Sequence, residues 1–220
     1  MIEIKDVEPT RALVSALRQV PIKGDTSVRP YLNATIAVET VQIQKLIPLA
    51  KYVLQDQLDL VRSLQEGLKR ARLDILDLKG RVIYAEGQEE RVISPPIVEV
   101  WEEEGDLLVD GLHRTWLARE EGREEMTAVV IRNVKVPLVP LPTTWESVRL
   151  LPRGHDLNAD EKRDYRFESP VALQSVVGPS ASKVTPDNFR YFLYRMLDYI
   201  GSTGIRRTAD ETSNKGDDRG

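Results

Sequence analysis

Asp110-Gly111-Leu112-His113-Arg114-Thr115-Trp116-Leu117-Ala118 is the stretch on which the reading of this chain turns. An apolar strand runs into it, through Ile97-Val98-Glu99-Val100-Trp101 and then Asp106-Leu107-Leu108-Val109, and an amphipathic helix runs out of it. Asp, Gly, His and Arg thus fall within five residues at a strand-to-helix turn. Backbone N–H groups and the positive end of the helix dipole meet at such a turn, which makes it a natural place to hold a phosphate.

Working outward, Ile97–Trp101 and Asp106–Val109 read as a hairpin across the acidic loop Glu102-Glu103-Glu104-Gly105. Ser94-Pro95-Pro96 breaks structure ahead of it. On the other side, a helix over Thr115–Glu121 is expected to close at Gly122. Met126–Ile131 then forms a continuous apolar run of the kind found in strands buried on both faces. Val41–Ile47 alternates apolar and polar residues as a half-buried strand ended by Pro48. From Gln55 to Ala71 the period becomes helical: Leu58, Val61, Leu64, Leu68 and Ala71 share a face, with Asp56 as a cap and Gly67 as a weak point costing about 1 kcal/mol. Leu73–Gly80 reads either as more helix or as a strand. Arg81–Tyr84 reads as a strand, and Gly87–Glu90 as a loop.

The flanks are less regular. Pro9–Val20 has helical spacing with Thr10 as a cap. Lys23-Gly24-Asp25 reads as a turn and Val28–Val38 as weak strand, which makes residues 1–39 an N-terminal arm or an added layer. Prolines 137, 140 and 142 make Val136–Pro142 extended, and Thr144-Trp145-Glu146 starts a short turn. His155-Asp156 is a His-Asp pair in a loop. Lys162-Arg163-Asp164-Tyr165-Arg166-Phe167 is a basic, aromatic cluster. A helix is expected over Pro186–Ile200, which closes a C-terminal extension at 135–200. Residues 201–220, rich in Ser, Thr, Gly and charge, read as a disordered tail.

The 220 residues suffice for one domain with a real core and extensions. At 41% hydrophobic and 30% charged, with net charge −4, the chain has a globular composition and no general attraction for nucleic acid or anionic membrane. The absence of cysteine excludes disulfides, thiolate metal sites and cysteine nucleophiles, and fits a cytoplasmic location. No apolar run approaches the ~18 residues of a membrane span, and the N-terminus lacks a signal-peptide pattern. Two histidines, His113 and His155, do not make a histidine-rich metal site. The phosphate-loop, dinucleotide and nucleophile-elbow motifs are all missing.

The turn Asp110-Gly111-Leu112-His113-Arg114, with its hairpin, following helix and strand, resembles the ParB/sulfiredoxin-like superfamily, which carries a Gly-x-x-Arg or Gly-x-His-Arg turn between strand and helix. The resemblance covers residues 40–134 and implies an α+β fold, a small mixed sheet with packed helices. It also implies that the turn wraps a nucleoside di- or triphosphate (ATP, ADP or CTP). Gly111 would let the backbone approach, Arg114 would pair with phosphate oxygens through its planar fork, and His113 and Thr115 would complete the contacts. Asp110 would orient the turn or stand near a magnesium ion, unless it serves only as the helix N-cap. Arg163 and Arg166 are candidates for a lid over the nucleotide. Trp116 reads as core, or as a ring on which a base stacks.

Departures from the superfamily narrow the chemistry. Sulfiredoxin-type turns carry a cysteine where this chain has Leu112, so sulfinic acid reduction is excluded. Partition-type members resemble Gly-Glu-Arg-Arg here and continue into a helix-turn-helix, which the proline-broken residues 135–185 do not suggest. Free-serine kinases have an Asp-Gly-His-His-Arg-like turn and an acidic residue soon after the first strand's proline. Here Pro48-Leu49-Ala50-Lys51-Tyr52 has no carboxylate, and Asp56 or Glu66 would have to substitute. The leading expectation is phosphoryl transfer or nucleotide hydrolysis at this turn, with Asp110 and His113 as catalytic candidates. The alternative is a nucleotide-regulated protein that binds DNA or a protein partner without independent catalysis.

Overall fold

The computed structural model describes residues 2–20, 29–87, 89–103, 105–134, 143–158 and 161. Its centre is a mixed sheet of five strands: β2 (Thr35–Gln42), β3 (Leu46–Pro48), β7 (Ile97–Trp101), β8 (Gly105–Asp110) and β9 (Glu125–Arg132). They lie in the order β2-β9-β7-β8-β3. β7 and β8 form the expected antiparallel hairpin, β9 runs parallel to β7, β2 antiparallel to β9, and β3 parallel to β8.

Both faces of this sheet are covered, which explains the unbroken apolar run of β9. Met126, Ala128 and Val130 join one core cluster and Val129 and Ile131 the other, as the period-two geometry of a strand requires. Against the first face pack α2 (Gln55–Arg70) and α3 (Leu112–Glu120), with Leu58, Val61, Leu64 and Leu68 turned inward. Gly67 has a use: a Cβ there would lie 2.9 Å from the Ile2 Cβ, so only glycine lets the first strand rest on α2. Against the second face packs α1 (Thr10–Arg18) through Leu13 and Leu17, together with Tyr31. The wholly buried Glu99 of β7 accepts the Tyr31 hydroxyl at 2.6 Å and the Trp101 indole N–H at 3.0 Å.

A second sheet is antiparallel, with β5 (Arg81–Glu86) between β1 (Ile2–Glu8) and β6 (Glu89–Ile93). Residues 2–8 therefore form a strand paired with β5, and β6 begins at Glu89, within the Gly87–Glu90 stretch expected as loop. Leu73–Gly80 is neither helix nor strand. It is a turn-rich connection that buries Ile75, Leu76 and Leu78. Val41–Ile47 is divided: β2 ends at Gln42, one 3-10 turn spans Ile43–Lys45, and β3 begins at Leu46. The third helix starts at Leu112, three residues before the expected Thr115. It ends in a Schellman arrangement, in which the Gly122 N–H donates to the Arg119 carbonyl and the Arg123 N–H to the Ala118 carbonyl.

After the proline-rich stretch the chain returns to the core. The Trp145 indole donates to the Leu46 carbonyl at 2.7 Å, and β10 (Arg149–Leu151) pairs in parallel with β4 (Tyr52–Leu54). Among the described residues no helix is long and apolar enough to cross a membrane. Lys23-Gly24-Asp25, Val136–Pro142, the 162–167 cluster with Arg163 and Arg166, the 186–200 helix and the 201–220 tail lie outside the described residues.

Candidate functional site

β8 delivers Asp110 to the end of the five-stranded sheet, and the backbone then turns sharply into α3. Gly111 makes that turn at φ 96° and ψ 21°, a conformation open to glycine and costly for L side chains. A second constraint acts at the same position. A Cβ on Gly111 would lie 2.7 Å from the Pro96 Cβ, so the Ser94-Pro95-Pro96 break walls the turn. Gly111 is also the helix N-cap and offers no side-chain cap. The cap reading of Asp110 is thereby corrected: Gly111 holds the N-cap position, and the Asp110 carboxylate turns toward Arg114.

Side chains on a helix lean back toward its N-terminus. From the first turn of α3, Arg114 accordingly reaches the Asp110 carboxylate at 2.6 Å through Nη2 and the Ser94 carbonyl through Nη1. Both ions are buried, with side chains 3% and 5% exposed. Burial lifts the Asp110 carboxyl above the usual range even with Arg114 beside it, and draws the Arg114 guanidinium down against the pull of Asp110. Tyr84 of β5, also buried, lies close enough to feel the Arg114 charge.

His113 is 6% exposed, and its Nε2 accepts the backbone N–H of Leu54 at 3.0 Å. Burial, reinforced by the positive charge of Arg114, pushes its pKa down to about 4. The ring is neutral at pH 7, and an accepting Nε2 leaves the proton on Nδ1. Thr115 is fully buried and bonds the Gly111 carbonyl at 3.1 Å, beside the Met126 sulfur. Trp116 is half-buried and packs against the first core cluster, as its core reading expects, while its indole donates to Glu120 at 3.1 Å.

Asp110, Gly111, His113 and Arg114 are thus brought together, and each of the three side chains is held by a named internal partner. The other candidates stand apart. His155 and Asp156 lie in a loop as expected, and the His155 ring bonds Glu161 at 2.8 Å. Asp56 accepts the Gly154 N–H at 2.8 Å, and Glu66 pairs on the surface with Lys69 at 3.0 Å. Among the described residues no group of three or more His, Asp or Glu is arranged to hold a metal ion. Leu54, Tyr84, Ser94 and Pro96 were missed as parts of the site. Only the Ser-Pro-Pro break and the four-residue spacing of Asp110 and Arg114 signalled any of it in the sequence.

Comparison with known proteins finds that residues 12–149 match the family model described as ParB CE domain. No curated protein matches the chain. Among solved structures, the C2221 form of a Pnob8-like ParB-N domain is 19% identical, with 47% of this chain and 32% of that chain covered and a TM-score of 0.24. A pNOB8-like ParB N-domain is 18% identical, with 46% and 29% covered and a TM-score of 0.24. The chain spans about a third of the length of these two proteins.

Proposed function

The chain belongs to the ParB CE domain family, and from that premise we propose that it is a nucleotide-regulated binding protein of the partition type, acting on DNA or a protein partner. The 110–114 turn is its phosphate-binding element. The observation that carries the reading is the state of Arg114. Of the five N–H donors of its guanidinium, two have protein acceptors among the described residues, although the group is 3% exposed. Buried donors without acceptors are costly, and an anionic oxygen satisfies them. The turn also opens α3, whose first backbone N–H groups carry the positive end of the helix dipole and have no side-chain cap.

The binding reading displaces phosphoryl transfer or hydrolysis. A general base needs a free lone pair within reach of its proton. The accepting nitrogen of His113 is committed to Leu54, and the Asp110 carboxylate is buried against Arg114 at 5% exposure, away from any solvent-borne proton donor.

Titration of labelled CTP, ATP and ADP against the wild type and Arg114→Lys tests the proposal, with a DNA duplex retained on the protein in the presence and absence of each nucleotide. We expect binding of at least one nucleotide, weakened in Arg114→Lys because an ammonium cannot reproduce the fork, and nucleotide-dependent DNA retention without fast phosphate release. Failure of the folded wild type to bind any of the three overturns it. Rapid nucleotide turnover without DNA restores the enzymatic reading.

A further inference from the structure

The resemblance assigns His113 to the phosphate, but the geometry points to a different task. We propose that His113 is a positioning residue that ties the start of α2 to the start of α3, and that it does not contact the nucleotide. This rests on the reading of the 110–114 turn as the phosphate element.

Leu54 closes β4 and is the N-cap residue of α2, while His113 is the second residue of α3. The hydrogen bond from the Leu54 N–H to the His113 Nε2 therefore joins two helix N-termini that come from distant parts of the sequence. Neither terminus has a side-chain cap of its own. Two positive dipole ends are brought together here, an arrangement with a use where an anion is to be held. A cationic ring between them would add a third positive group beside Arg114, and burial keeps the ring neutral. The ring spends its one acceptor on a backbone amide that no α2 side chain caps. With Leu54 also in register with Leu151 of β10, the tie continues into the strand that returns from the C-terminal side.

Two substitutions separate positioning from phosphate contact. Gln carries an acceptor oxygen at comparable reach and can take the Leu54 N–H. Arg carries donors alone and is the better partner for a phosphate. For positioning, His113→Gln binds nucleotide within a few-fold of the wild type, whereas His113→Arg loses about tenfold or more because the Leu54 amide is left unpaired. For phosphate contact the order reverses, and an Arg variant that binds as tightly as the wild type overturns the proposal.

A second measurement uses the wild type without nucleotide. Nitrogen-15 NMR of the ring is expected to show the proton on Nδ1 at neutral pH, with the Leu54 amide protected from exchange. A proton on Nε2, or a Leu54 amide exchanging like an open one, also overturns it. If the wild type binds none of the nucleotides, the proposed function fails, while the ring tautomer and the Leu54 amide still decide whether the tie exists.

Discussion

Replacing Asp110 by Ala removes the carboxylate that, among the described residues, pairs at 2.6 Å with a guanidinium buried to 3% exposure. For both partners the loss of hydration outweighs their mutual attraction, as the upward shift of Asp110 and the downward shift of Arg114 indicate. Such a pair is expensive to assemble and more expensive to break, because the survivor keeps its desolvation cost without compensation. Removing one member of a buried pair costs about 3–5 kcal/mol, and for a domain of this size each kcal/mol lowers Tm by about 2–4 °C. Asp110→Ala is therefore expected to melt roughly 10 °C or more below the wild type. The double variant Asp110→Leu/Arg114→Met removes both charges and is expected to recover most of the loss. Urea denaturation followed by circular dichroism at pH 7, on the wild type, both single variants and the double variant, gives the coupling energy. Raising the salt should change it little, since a buried pair is weakly screened. A cost below about 1 kcal/mol for Asp110→Ala, or single effects that simply add, would refute the argument that these two buried groups are energetically coupled.

Three further outcomes are expected. The folded His113 titrates at about 4, against about 6.5 when unfolded, so the unfolded chain takes up the proton first. Stability tied to this ring is whole above pH 6.5 and falls by roughly 3 kcal/mol as the pH drops toward 4. Urea midpoints at pH 7 and pH 4.5 should differ less in His113→Gln than in the wild type. Gly111→Ala meets both a disallowed φ and the Pro96 ring, and should cost about 3 kcal/mol. Gly122→Ala, at φ 70° with nothing within 4 Å of the new methyl group, should cost about 1 kcal/mol, and equal costs by calorimetry would contradict the wall at Pro96. Arg153 pairs with Asp59 from a side chain 72% exposed, so limited proteolysis near residue 154 should quicken with salt in the wild type and be fast and salt-independent in Arg153→Ala.

What the sequence made legible follows from period and punctuation. Leu58, Val61, Leu64 and Leu68 show a helix at sight, Gly122 shows its neighbour's end, and Met126–Ile131 shows a strand buried on both faces. Where local pattern is short or polar, pairing decides, and pairing is not visible locally. Ile2-Glu3-Ile4-Lys5 alternates correctly but becomes a strand only because β5 lies beside it. Glu89 and Glu90, the end of the Gly87–Glu90 loop reading, begin a strand because an edge strand of a three-stranded sheet tolerates charge. At the site, the turn and its glycine were legible, because a strand, a glycine and a helix in succession have few solutions. The roles of the side chains were not. Asp110 and His113 read as free chemistry in one dimension, and only the arrival of Leu54 and Arg114 in space shows both to be occupied.

The strand pairings also set an order in time. Ile2 waits for Glu86, Thr35 for Arg132 and Tyr52 for Arg149, so three early strands find their partners only late in the chain. At a synthesis rate of about 5–20 residues per second, the interval between Tyr52 and Arg149 is roughly 5–20 seconds. When that interval opens β1 and β2 have already emerged, and β1 waits for residues 81–86, β2 for residues 125–132 and β4 to its end, each with an open hydrogen-bonding edge. A protein built this way depends on the charges along Glu3, Lys5 and Asp6 and along Glu39 to keep those edges from pairing with a neighbouring chain before their own partners exist.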